Sequence, residues 1–406
     1  MKVFIRIGII IGLLVSANAG ENSSQWRGLN RDGVYPDNNL MKTWPTNGPK
    51  MMWSTDILGG GYSSPAVTSA GVYVTGMIDG VGYLVAFDLN GKQKWRMTYG
   101  PEWDGGHEGA RTTPTVVDDK IYLMTGEGAV VCVNTADGEI VWQVDMIKSF
   151  GARNLRWGMT ESLLVDGDRV FCTPGGSDVM IAILDRHTGK TIKKIKGNGE
   201  ESSYCSPVLI KHNNKRYILT MTGRSVVGLD AESGEYLWRH EHITQYDINP
   251  NTPYYQDGFI YVVSGYGTGG QLLKLAKDGK SVEQVWVDKT MDSQMGAAAI
   301  VDGYIYGSGH KNKGWHCLDW KTGEVKYSER VLGNKGNIIF ADGLLYCYGE
   351  KGDVGLVRPT PEKFDVISSF EIEEGSGPHW AHPVIADGRL YVRHGEVMQV
   401  YDISPK

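Results

Sequence analysis

Ten side chains have the chemistry from which a site could be assembled. Glu161 offers a carboxylate for general-base work or metal ligation, and His382 and His107 offer imidazoles able to carry protons. These three are the candidate catalytic groups. Arg111 can clamp a carboxylate or phosphate with two parallel hydrogen bonds. Tyr62, Trp157, Tyr204, Asn251, His310 and Trp380 complete the expected ligand-binding set, the indole rings being suited to stack on a quinone, a sugar ring or a partner's side chain. Each also has a structural reading: Arg111 and Glu161 could neutralise each other, and the tyrosines could simply pack. No set of residues has the spacing of a protein metal site. Nucleophile-elbow, zinc-protease, phosphate-loop and dinucleotide signatures are missing as well.

What must position these groups is a repeat. An aromatic residue within a β-branched run recurs at Tyr73, Tyr122, Phe171, Tyr217, Tyr261, Tyr306, Tyr346 and Tyr391, at intervals of 40 to 49 residues. Each follows an apolar run and a Gly-containing turn, the pattern of a β-hairpin. A third run follows, often ending in Asp. After a tight turn comes a fourth run bearing Trp95, Trp142, Trp238, Trp286 or Tyr327. Four short strands per repeat, eight times over, predict an all-β, eight-bladed β-propeller of four-stranded blades. The eighth repeat stops after three strands, and the segment at about 50–57, with Trp53 in the fourth-strand context, is expected to complete that blade and close the ring. The division is then a signal peptide at 1–19, an N-terminal extension at 20–48 and the propeller at 49–406.

With strands running a to d from the axis outward, the d–a and b–c loops share one face. That face receives the long, aromatic-rich connections, and by register most of the histidines. The residues entering strand a lie nearest the axis. Aligned on Pro65, Pro114, Pro207, Pro253 and Pro383, they place the candidate groups around one channel mouth, the usual form of a small-molecule or peptide pocket.

The unit SxP-x-V…G-x-(V/I)-Y-V…A-(L/F)-D…(T/N)-G-x-x-x-W resembles the PQQ-like β-propeller repeat. That repeat occurs in quinoprotein alcohol dehydrogenases and in the propeller subunit of the outer-membrane β-barrel assembly machinery. The resemblance covers about 44–404. QWRGLNRDG (25–33) and WDGGHEGARTTP (103–114) also resemble segments of stand-alone secreted bacterial propellers. It implies two kinds of activity. One is a dehydrogenase in which pyrroloquinoline quinone, with calcium, accepts a hydride from an alcohol or sugar. The other is a non-catalytic binding or scaffold protein. The dehydrogenases often carry an adjacent Cys pair against the quinone, whereas here Cys205 stands alone. A lyase or hydrolase of polysaccharides, built from the His, Glu, Arg and Tyr set, is a third reading. The binding role is the leading expectation, with a small molecule, glycan or protein partner on the loop-rich face and a monomeric chain.

The remaining features bound these readings. Lys2 and Arg6, an apolar run at 7–15 and Ala17-Asn18-Ala19 form a secretory signal, cleaved near Gly20, giving a periplasmic or secreted product. The run is too short to span a bilayer, and no transmembrane segment is expected in the mature chain. Forty-one basic against 47 acidic residues leave no positive excess for nucleic acid. Gly supplies 54 of 406 residues, about twice the usual share of roughly 7%, and Trp outnumbers Phe by 12 to 8. Five cysteines in so long a chain exclude a disulfide scaffold.

Overall fold

A computed structural model describes residues 23–405; the expected signal segment at 1–19 lies outside them. Eight antiparallel four-stranded sheets follow one another along the chain, each ordered a-b-c-d. They span 66–101, 115–145, 164–195, 208–241, 254–288, 298–329, 336–371 and 384–402, and form the eight blades of a propeller. The last sheet takes its outermost strand from the other end of the chain: Lys50–Thr55 pairs antiparallel with Val397–Asp402, Trp53 lying opposite Val400. The ring is thus closed as the missing fourth strand required.

Part of the paired excess of Trp and Gly has a common cause. The outer-strand Trp of one blade docks on the c–d turn of the next. Its indole N–H donates to a backbone carbonyl there: Trp53 to Leu89 at 3.2 Å, Trp95 to Thr135 at 3.0 Å, Trp142 to Arg186 at 2.9 Å and Trp286 to Trp320 at 3.1 Å. The turn glycine beneath each ring has positive φ, and a Cβ on Gly91, Gly138, Gly189 or Gly323 would fall within 2.5–2.8 Å of indole carbon. The third repeat lacks the Trp, and there Gly234 is covered by Ile183 and Ile195 instead. Trp315, outside the outer-strand series, is fully buried in strand c of blade 6 and stacks on Phe364.

The axis is occupied by the chain itself. Val34–Tyr35 adds a fifth, parallel strand inside blade 7, pairing with Phe340–Ala341. Ser23 O accepts from Val67 N, and Ser24 O accepts from Val116 N. Between these ends, two buried arginines reach opposite walls. Arg27 donates to the carbonyls of Ala298 and Ile338, on blades 6 and 7. Arg31 donates to those of Ser162, Leu163 and Pro207, entering blades 3 and 4. Innermost strands have no further strand to bond, and here guanidinium groups satisfy their carbonyls.

Candidate functional site

The site is built on the few residues that lead into each strand a. Immediately before it, Ser or Thr side chains link neighbouring blades in a belt. Thr113 Oγ1 accepts from Ser64 N at 3.0 Å, Ser162 Oγ from Thr113 N at 3.1 Å and Ser206 Oγ from Ser162 N at 2.9 Å. Each bond satisfies a buried amide at the start of a strand. The belt forms the floor, and a cavity of about 210 Å³ opens above it on the d–a face.

The position three residues before Pro65 and its equivalents supplies most of the wall. Tyr62, Arg111, Thr160 and Tyr204 come from the entries to blades 1 to 4. Pro250, Met295 and Trp380 come from those to blades 5, 6 and 8. The eighth member, Lys335, turns aside to Glu350 Oε1 at 2.8 Å and Gln294 Oε1 at 3.2 Å. Trp26 of the axial segment lies in the floor, edge-on to His382 with ring centroids 4.7 Å apart. Trp380 is flanked by Tyr62 and His107, each 5.0 Å away between centroids. Trp157 stands 6.3 Å from Tyr204, on a loop braced by Asn154, whose amide donates to Gly126 O and Glu127 Oε2.

Seven of the ten expected residues therefore line one cavity: Tyr62, His107, Arg111, Trp157, Tyr204, Trp380 and His382. Three do not. Glu161 is 2% exposed, below the wall; its Oε2 accepts from Thr173 N at 2.9 Å and its Oε1 has no partner. Burial raises its pKa to about 8, partly opposed by the Arg31 guanidinium. Asn251 is buried, its amide donating to Val263 O and Ser293 O. His310 stands behind the wall, where its Nδ1 accepts from Tyr266 N at 3.1 Å. Arg111 and Glu161 do not pair.

His382 lines the cavity but has both ring nitrogens engaged. Nδ1 accepts from Arg27 at 2.9 Å, which leaves Nε2 to donate to Met295 O at 2.8 Å. Burial, and then the Arg27 charge, hold its pKa well below the usual histidine value, so the ring is neutral. Arg111 donates to the carbonyls of Gly106 and His107 and contacts no carboxylate; burial lowers its pKa. Burial also raises the phenols of Tyr62 and, to about 12, Tyr204, so both keep their protons at neutral pH. All five cysteines are free and buried; Cys205 has its thiol pushed up to about 12 by burial.

Sequence reasoning missed Trp26, Ile248, Tyr266 and Gln294 among the lining residues. Tyr266 belongs to a b–c loop and has positive φ, which no local pattern announces. Its loop is anchored by Asp292, fully buried, whose carboxylate accepts from the backbone N–H groups of Gly267, His310, Lys311 and Asn312.

The eight four-stranded blades are those of a PQQ-like propeller. A family model described as outer membrane protein assembly factor BamB matches residues 34–196 and 80–329, and the chain belongs to that family. Among solved structures it is similar to BamB from Moraxella catarrhalis, at 16% identity and TM-score 0.64, over 87% of this chain and 99% of that one. A quinohemoprotein alcohol dehydrogenase from Comamonas testosteroni gives 12% identity and TM-score 0.68, over 97% of this chain and 82% of that one. A europium-containing methanol dehydrogenase gives 13% and 0.66, over 93% and 91%. At such identities the likeness is one of fold. No curated protein matches the chain significantly.

Pyrroloquinoline quinone with calcium calls for oxygen ligands beside the ring. No carboxylate lines this cavity. Glu161 and Asn251, whose side chains could supply oxygen ligands, are buried beneath it and bonded to backbone. Among the described residues, no group of three or more His, Cys, Asp or Glu side chains is placed to hold a metal ion. The residues present do not fit the quinone–calcium pair.

Proposed function

We propose that the chain is an exported, monomeric, non-catalytic binding propeller that engages its ligand or partner through the axial pocket of the d–a face. Export rests on the N-terminal signal pattern. One observation carries the binding reading: of the three candidate proton-transfer groups, His382 and Glu161 are out of play, and the third, His107, faces the cavity with no carboxylate in the wall to work with. His382 has both nitrogens committed and Glu161 lies sealed below the wall. What faces the space is aromatic surface, a guanidinium, phenol hydroxyls and the single His107 imidazole packed on Trp380, a set suited to hold and orient.

The test is to titrate the purified mature protein with pyrroloquinoline quinone and Ca²⁺, then assay dye reduction across alcohols and sugars. Neither saturable binding nor turnover is expected. Turnover would return the protein to the dehydrogenases and overturn the reading.

A further inference from the structure

We infer that the axial pocket takes a monocarboxylate built on one ring, with Arg111 holding the carboxylate. The inference rests on the binding reading and names its ligand. Polar atoms in the wall divide into spent and unspent ones. Gln294 Oε1 accepts from Lys335, Gln294 Nε2 donates to Tyr266, and both nitrogens of His382 are engaged. Trp26 donates its indole N–H to Thr252 Oγ1, and Trp380 to Glu350. Left without a protein partner are the Arg111 Nε and one terminal nitrogen, the Tyr62 hydroxyl and the His107 ring, while the Tyr204 hydroxyl takes a hydrogen bond from the Trp157 backbone and keeps its own proton to give. The guanidinium and both phenols can donate, and Arg111 has no ion-pair partner in the wall, the carboxylate that acts on it, Glu102, lying outside the lining. Such a set selects an anion, and a planar fork matches a carboxylate.

The opposite side of the cavity is apolar, formed by Ile248, Pro250 and Met295. Head and tail of the ligand are thereby fixed: charge toward blades 1 and 2, ring toward blades 5 and 6. The volume, about 210 Å³, lies below the roughly 300 Å³ at which pockets for drug-sized molecules begin, and suits one ring rather than a fused tricycle. Tyr246, half-exposed, continues the aromatic wall outward, 6.5 Å from Trp157 and 5.4 Å from Tyr266, so a substituent on the ring has a path to solvent.

Two sources share this chemistry, a uronic acid and an aromatic acid. The experiment follows tryptophan fluorescence at pH 7 during titration with sodium D-glucuronate and sodium 4-hydroxybenzoate, beside D-glucose and 4-hydroxybenzamide as neutral counterparts. At least one acid should bind about tenfold or more tighter than its neutral counterpart, and Arg111→Gln should erase that difference. Thermal unfolding of the variant should stay close to the parent's, showing that the loss is not one of folding. Whichever acid binds identifies the source. Equal binding of acid and neutral form, or no response to either acid up to about 20 mM, overturns the inference. Those results leave the non-catalytic reading standing, which only quinone turnover would sink.

Discussion

Single residues in this propeller act mostly through backbone groups they satisfy. Asp292 is the clearest case, with four N–H donors from two loops converging on one buried carboxylate. Asp292→Ala leaves all four without an acceptor and should lower the unfolding free energy by about 3 kcal/mol or more in urea titrations, since each charge-assisted bond contributes roughly 1.5–3 kcal/mol. Glu161 makes a pH-dependent contribution of the opposite kind. Its carboxyl is ordinary when unfolded, at 4.5, and is raised to about 8 by burial in the fold. Between those values the folded state holds a proton that the unfolded state has released, so this group removes stability as pH rises. Glu161→Gln mimics the protonated form. Its melting temperature should gain on the parent's progressively from pH 5 to 8 and then level off; a constant offset would show that Glu161 does not titrate in that window.

Elements decide which residues reach the pocket, and here the sequence was legible only in part. Aligning the repeats on their prolines finds the axial mouth correctly, because the repeat fixes radial distance. It does not find which way each side chain points. Successive residues of an extended chain alternate in direction. The residue three before the proline faces the cavity, whereas Glu161 and Asn251, one place later, turn into the blades. The axial segment escaped for a different reason. QWRGLNRDG has neither the period nor the apolar pattern of a strand, and its role appears only when Arg27 and Arg31 meet carbonyls from four distant blades. Arg31→Met should strand the carbonyls of Ser162, Leu163 and Pro207 and cost about 3 kcal/mol or more, read as a lower urea midpoint with an unchanged slope.

At the scale of the whole molecule, blade number was readable from the recurring four-strand unit, and closure from a contact that four blades share: an indole on the next blade's turn. That contact makes a turn glycine a packing position as well as a conformational one. Gly189 and Gly343 both have positive φ, but a Cβ on Gly189 would meet Trp142 at 2.7 Å while one on Gly343 meets nothing within 4 Å. Gly343→Ala should cost only the backbone strain, about 1 kcal/mol, and Gly189→Ala about 2–3 kcal/mol, compared by equilibrium unfolding. Similar penalties at both sites would mean that the indole contact yields freely.

The segment along the axis has a consequence in time. Ser23 Oγ donates to Ile385 O across 362 positions of sequence, and Arg27 meets His382 across 355. Both partners belong to the eighth blade, the last in the sequence, so they are in place only after the ring has curved round. Bonds of such separation carry the largest loop-closure cost and form late. The first described residues in the order of synthesis are therefore among the last to find their places, and the pocket floor, of which Trp26 is part, is completed only at that final step.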